Sequence, residues 1–457
     1  MLIRFVLENV LSFGERKEFN MLPYTRLNTL MHHVYPIQDI GLLKMAAIYG
    51  ANGAGKSNLI KAIHLLKRLV TDRDLPINLK ESQFKFNEQP DKSQLLAIEF
   101  LQDNKVYYYG IELTRGIIST EELYESGLGK KPDTLLFERK TDSNKKTTAR
   151  FMAEFEQDEK SQLLKQVLLE EFVQPEKPMF KILANRDNRF LSEVKKAYQW
   201  FEDTLQIIMP EAKPPVLAHH LDQDAQFKKY AEELMRSFST GIVHLETEKK
   251  EIREFFGEDD KEEAERLSRY VDTAPGQMIS LRAAGRDEKV IVKENDKVWV
   301  KSLKLAHINE GGQPVWFDLA EESDGTIRLL DFVPALKEVI ASPKVFLIDE
   351  IERSIHPLLI KELLKKFSLD PATQGQLIFT THESNLLDQS IFRQDETWFV
   401  EKDTYGSSDL YTLSAFKEHK TIDIRKGYLS GRYGSIPFLA NLTDLNWHEY
   451  VDSKQAV

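Results

Sequence analysis

The sequence predicts an α/β fold, a mixed sheet flanked by helices and interrupted by an inserted helical lobe. Three observations predict it. The apolar run Leu42–Tyr49 leads into a glycine-rich turn and then a helical pattern with Leu59, Ile60, Ile63 and Leu66 on one face. Two later apolar runs, Val345–Ile348 and Gln376–Thr381, end in Asp349-Glu350 and in His382. Between these parts, from about Lys140 to Tyr270, the pattern turns helical and charge-rich. Short apolar runs bounded by turn chemistry read as strands buried on both faces. In open α/β sheets, ligands sit at the C-terminal ends of such strands.

The chain has 457 residues, enough for a large core and two or three structural units. Hydrophobic residues make up 41% and charged residues 30%, the balance of a soluble globular protein. No apolar stretch approaches a membrane span, and Met1–Val6 reads as a strand rather than a signal peptide. With no cysteine, disulfides and cysteine-ligated zinc are excluded, which fits a cytoplasmic location. The net charge of −11 argues against a generally basic, DNA-coating surface. It leaves room for a local basic groove, because 62 Lys and Arg are present.

In chain order, Leu2–Phe19 alternates loosely around turn chemistry at Ser12-Phe13-Gly14-Glu15 and predicts two strands. Asp72–Pro76 reads as a polar loop. Leu95–Leu101 and Lys105–Leu113 predict a hairpin with Asp103-Asn104 at its turn, and another strand lies near Leu135–Arg139. Three apolar helical faces follow: Leu163, Leu164, Val167, Leu168 and Phe172; Phe190, Leu191, Val194, Tyr198, Phe201 and Leu205; Phe227, Tyr230, Leu234 and Phe238. Pro175, Pro178, Pro210, Pro214 and Pro215 separate them. Glu246–Arg269, dense in both charge signs, reads as an exposed helix or short arm. Strands return at Lys289–Lys293 and Lys297–Val300, and again at Val315–Leu319. The expected divisions are an N-terminal half at 1–139, a helical lobe at 140–275, a C-terminal half at 276–410 and a tail at 411–457.

The glycine-rich turn carries the sharpest chemistry. Gly50-x4-Gly55-Lys56-Ser57, set between a strand and a helix, is a P-loop in its full context. Glycines let successive backbone N–H groups turn inward around phosphate oxygens, and the helix N-terminus adds partial positive charge. Gly50, Asn52, Gly53, Ala54, Gly55, Lys56, Ser57 and Asn58 are therefore candidate nucleotide-binding residues. Lys56 is placed to reach the β- and γ-phosphates, and the Ser57 hydroxyl to ligate Mg²⁺.

Asp349 fits an acid that orients Mg²⁺, directly or through water, and Glu350 one that orients or deprotonates an attacking water. Glu352 is a third carboxylate and reads as structural or capping. His382, one strand later, fits a hydrogen bond to a γ-phosphate or to the lytic water. Ser323-Asp324-Gly325-Thr326 precedes an apolar helix and offers a hydroxyl and N–H groups at its start. His219-His220-x-Asp222-x-Asp224 has metal-like spacing, but in a Pro-flanked polar stretch it reads as a solvated loop.

The order of these motifs resembles an ABC-type ATPase head of the AAA/OLD-like group. Gly50–Ser57 takes the Walker A place, Ser323–Thr326 the signature place and Leu347–Glu350 the Walker B place. Ser354-Ile355-His356-Pro357 takes the D-loop place and His382 the switch place. Asp324 stands where the signature usually has Gly, and Gln83 is a candidate for a Q-loop glutamine. The resemblance implies ATP and Mg²⁺ as cofactors and two heads that sandwich ATP. Ser323 and Gly325 of one copy would complete the Lys56 site of the other, in a homodimer or higher homo-oligomer.

The tail, Asp423–Pro437, is rich in Arg, Tyr and Gly. It resembles the C-terminal segment of RloA-like and AbiL-type ATPases of bacterial anti-phage systems, and more distantly the PARIS ATPase AriA. That resemblance implies a regulatory subunit in abortive infection, a Toprim-type nuclease partner and a phage trigger protein. Read from its residues alone, Arg425–Pro437 suits a protein interface, nucleic-acid stacking or a packed extension of the sheet. Two other functions stay open: a RecF- or SMC-like repair ATPase on DNA ends, and a slow-hydrolysing assembly scaffold.

Overall fold

The computed structural model describes every residue except 38–39, 73–78, 87–90, 215, 274–277, 284–286, 420 and 437–457. Much of the Asp72–Pro76 loop, Pro215 and the end of the tail from Pro437 therefore lie outside the described residues. The fold is α/β, and the chain divides into two compact units, Met1–Thr204 with Thr380–Val457, and Leu205–Phe379. These divisions differ from the expected ones at 139/140 and 275/276.

The first unit carries a seven-stranded antiparallel sheet. Its order is Thr147–Phe151, Thr134–Thr141, Ile117–Glu125, Lys105–Thr114, Gln94–Gln102, Leu2–Glu8 and Lys17–Asn20. The expected hairpin is there, and Asp103 and Asn104 both take positive φ, 48° and 61°, as a two-residue type I′ turn requires. Beside this sheet, Met45–Tyr49 runs parallel to Thr397–Lys402, which pairs antiparallel with Ser408–Thr412. All five residues of Met45–Tyr49 are buried. The helix Lys56–Thr71 buries the expected Leu59, Ile60, Ile63 and Leu66. Each such side chain contributes about 1.5–3 kcal/mol.

A buried ion pair fixes the far side of this unit. The Glu121 carboxylate accepts from the backbone N–H of Met179 (2.7 Å) and Phe180 (2.9 Å), from Tyr109 Oη (3.1 Å) and from Arg139 (3.3 Å). Arg139 also donates to the carbonyls of Gln174 and Lys177. Both charges are fully buried and tie segment 174–180 to the sheet.

In the second unit, Leu205–Ile208, Val345–Ile348 and Gln376–Thr380 run parallel in register. A separate antiparallel sheet orders His244–Glu251, Lys297–Ile308, Asp287–Glu294 and Met278–Ala283, with Pro314–Asp318 also on Lys297–Ile308. Ile252, Ala264, Leu267, Val271, Ile291 and Val300 form a core between that sheet and the helix Lys261–Thr273.

The stretch expected as a helical lobe, 140–275, is mostly helical but, among the described residues, also contains the strands Thr147–Phe151, Leu205–Ile208 and His244–Glu251. Leu205 continues the helical spacing of Phe190–Phe201, which hid the short strand it opens. His244–Glu251 is charged enough to read as a helix, yet its charges pair across strands, as Lys304 does with Glu248. The exposed arm expected over Glu246–Arg269 is thus a strand followed by two helices whose apolar residues join the core. The first expected apolar face is corrected too: Leu163, Val167 and Phe172 are exposed. His219–Asp224 lies largely in the helix Leu217–Gln223 rather than in a loop. There the fully buried Lys301 bonds Asp222 (2.6 Å), Glu294 and His219 (3.1 Å). Asp222 is partly buried, but hydrogen bonds from Lys249, Lys301 and Gln223 outweigh that and bring its pKa down to about 2. Among the described residues, no helix is long and apolar enough to cross a membrane.

Candidate functional site: a phosphate-binding loop and an acidic strand end

The loop between Met45–Tyr49 and Lys56–Thr71 is a cradle whose shape only glycine permits. Gly55 sits at φ 121° and caps the helix without a side-chain hydrogen bond. A methyl on Gly55 would overlap Ser408 Oγ, and one on Gly50 would overlap the carbonyl oxygen of Val400. Gly53 has φ 75° and open space around it. Asn52 and Gly53 form the exposed tip, Ala54, Gly55 and Lys56 are buried, and Ser57 and Asn58 are partly exposed. Ser408 holds the floor, donating its one hydroxyl proton to Ala54 O (2.6 Å) and accepting from the Ser12 hydroxyl (2.8 Å).

Lys56, 4% exposed, turns back over its own loop. Its ammonium donates to Gly50 O (2.8 Å), Ala51 O (3.1 Å) and His382 Nδ1 (3.3 Å). An ammonium has no lone pair, so Nδ1 must accept and the neutral ring carries its proton on Nε2. The structure thus brings together two residues 326 positions apart that the sequence had assigned to one site. His382 is presented by the turn after Gln376–Thr380, where Thr381 N donates to Ile48 O (3.0 Å). The cradle fits a polyphosphate: its glycines keep side chains out, and Lys56 is a cation parked on carbonyl dipoles that phosphate oxygens can replace.

In the second unit, Val345–Ile348 is fully buried and ends at Asp349, 2% exposed, whose N–H donates to Ile208 O (2.9 Å). Glu350 follows in the left-handed region at φ 54°, unusual for glutamate, and its carbonyl accepts from Arg353 N (3.0 Å). This sharp turn places two carboxylates at the strand end. Ser323 caps the helix Asp324–Ala341, its Oγ accepting from Thr326 N (3.1 Å). A methyl on Gly325 would lie 2.6 Å from Ser354 O, so the signature-like turn rests on the loop after the acids. Sequence reasoning missed Arg328 on that helix. It is buried beside Phe332 (4.5 Å) and donates to Ala212 O (3.0 Å); burial lowers its pKa. It also missed Ser12 and Ser408, whose role depends on strands distant in sequence; the Ser12-Phe13-Gly14 turn was the one available signal.

Gln83 donates to Lys92 O (3.3 Å) and bridges Val10, on the side of the seven-stranded sheet. The described tail, to Ile436, packs on the first unit. Tyr428 and Tyr433 stack on Phe399 at 5.8 Å, Tyr411 donates to Tyr433 O (2.7 Å), and Arg432 pairs with Glu418. Of the tail readings, packing accounts for these aromatic residues.

This combination, a strand, a glycine cradle with a buried lysine, and an acid-tipped parallel strand, defines a P-loop nucleotide-binding protein. Residues 45–388 match the family described as "AAA domain, putative AbiEii toxin, Type IV TA system", and the chain belongs to that family. No curated protein matches the sequence. Solved structures similar to the chain include an SMC head bound to the C-terminal winged-helix domain of ScpA, at 13% identity over 91% of this chain and 99% of that one, TM-score 0.40. The SMC head domain of Thermotoga maritima is 13% identical over 90% and 98%, TM-score 0.38. An SMC head with an extended coiled coil, bound to the C-terminal domain of ScpA from Pyrococcus furiosus, is 13% identical over 94% and 99%, TM-score 0.38.

Proposed function

We propose that the chain binds ATP with Mg²⁺, hydrolyses it, and uses the cycle to control a partner protein. The observation that carries this reading is Lys56 folded onto Gly50, Ala51 and His382 inside a cradle closed to side chains. Bound ATP·Mg²⁺ supplies a polarised γ-phosphoryl group. The chain's own residues do the rest. N–H groups of Gly50–Asn58 face phosphate oxygens, and Lys56 exchanges its carbonyl partners for them. Ser57 and Asp349 would hold the metal, Glu350 would take a proton from the attacking water, and His382 would hydrogen-bond the terminal phosphate. Ser323 and Gly325 act on the nucleotide of a second copy, so activity belongs to a homodimer or a higher oligomer.

The finer reading is an ATPase subunit of a bacterial anti-phage, abortive-infection system that restrains or releases a Toprim-type nuclease. It is supported by the resemblance of the tail to RloA-like and AbiL-type ATPases, and by a family description that names a toxin–antitoxin system. The test measures ATP turnover and mass in solution for wild type, Lys56→Ala and Glu350→Gln. The expectation is hydrolysis by wild type, loss in both variants, and an ATP-dependent dimer trapped by Glu350→Gln. Full turnover by Lys56→Ala would sink the ATPase reading. Co-purification with the product of the neighbouring gene tests the nuclease partner separately.

A further inference from the structure

A second cationic site lies in the first unit, at the other end of the P-loop helix. A crevice of about 390 Å³ is lined by Arg68, Asp72, Phe172, Lys177, Lys181 and Arg186, among others. That is four cations and one carboxylate, on a chain whose net charge is −11. Two of the cations have structural work. Arg68 bonds Asp72 at 2.8 Å, and Lys181 donates to the carbonyl of Thr71 at the helix end. The other two are surplus. Among the described residues, Lys177 has no acidic partner, and Arg186 has a buried Nε without a hydrogen bond. The Arg186 guanidinium instead lies 4.6 Å from the centre of the Phe172 ring, which is 47% exposed.

We propose that this crevice binds a small phosphate-bearing ligand with a planar ring, of the class of a nucleoside monophosphate. Its volume is in the range of small-ligand sites, roughly 300–1,000 Å³. The Arg186 guanidinium and the Lys177 ammonium recognise the phosphate as charge-assisted donors, beside Lys181, whose ammonium keeps two N–H groups beyond the one given to Thr71. The exposed Phe172 face, backed by a guanidinium, takes the ring. Glu121 and Arg139 fix segment 174–180 to the sheet, so the site is pre-organised rather than assembled on binding. It shares no residue with the P-loop cradle and stands independently of the ATPase reading.

The test titrates AMP and inorganic phosphate into the full chain carrying Lys56→Ala, by calorimetry. The expected result is one saturable AMP site, weakened roughly tenfold by Arg186→Gln and by Lys177→Gln, each of which removes one charge-assisted contact. Phe172→Ala, at an exposed position, weakens AMP but leaves phosphate binding unchanged. ATP binding by the Arg186→Gln chain with Lys56 intact is unaffected, which separates the two sites. Absence of saturable binding, or binding indifferent to Arg186 and Lys177, overturns the proposal. So does preference for a single-stranded oligonucleotide with affinity rising with length, which would make the crevice part of a nucleic-acid track.

Discussion

The helix Lys56–Thr71 has two cationic ends about 22 Å apart, and they are built by opposite means. At the N-terminal end the charge is largely backbone: N–H groups in a glycine loop, the helix dipole, and one lysine resting on carbonyls of its own loop. At the C-terminal end the charge is all side chain, and part of it serves the helix itself, because Lys181 caps Thr71. The first end is a site because side chains are kept out. The second is a site because more cations converge than the helix can use. A local motif and a tertiary coincidence can therefore present similar chemistry, with very different visibility in the sequence.

The two ends should come apart under mutation. The largest effect expected is from Glu121→Ala, which strands buried Arg139 and frees segment 174–180. It should cost about 3–5 kcal/mol in denaturant unfolding and abolish AMP binding, while ATP binding at the loop persists in the folded fraction. Lys56→Ala should do the converse, lowering ATP turnover by roughly 100-fold or more with AMP binding intact. Gly50→Ala should cost about 1–3 kcal/mol, measured by thermal unfolding, because its methyl meets the Val400 carbonyl. Lys181→Met removes the cap on Thr71 and should cost only about 0.5–1.5 kcal/mol.

A control outside both ends is Glu193. It is partly buried, yet hydrogen bonds from Lys196, Tyr107 and Lys105 outweigh the burial and hold its pKa down to about 2. A depressed carboxylate stabilises the fold above its unfolded pKa, and that stability drains as pH falls through the folded value. Acid titration of wild type should thus show a loss between about pH 4.5 and 2 that Glu193→Gln lacks, with ATP turnover at neutral pH unchanged.

The contrast also explains what the sequence disclosed. Gly50–Ser57 is eight consecutive residues with a strand before and a helix after, so its conformation follows from local rules. Asp349-Glu350 and His382 were legible for the same reason: each ends a buried run. Ser12, Ser408 and Val400 were not, because their importance comes from which strands lie beside the loop, and short-range periodicity does not encode neighbours. The crevice at Lys177 and Arg186 was equally hidden, since Arg68 and Arg186 are distant in sequence and line one crevice only because the short helix Phe180–Ala184 packs on Lys56–Thr71. Leu205–Ile208 was lost because Leu205, Ile207 and Ile208, following directly on a helical face, look like one more turn of helix.

Gly50 and Gly53 bear on how a saturation screen of this loop should be scored. At Gly50 every larger residue collides with the Val400 carbonyl, so dropouts there report on assembly of the polypeptide. At Gly53 nothing lies within 4 Å of an added methyl, and the backbone at φ 75° is one asparagine adopts readily. Survivors at that position should be enriched in asparagine, and their remaining defects will trace the outline of whatever the loop embraces.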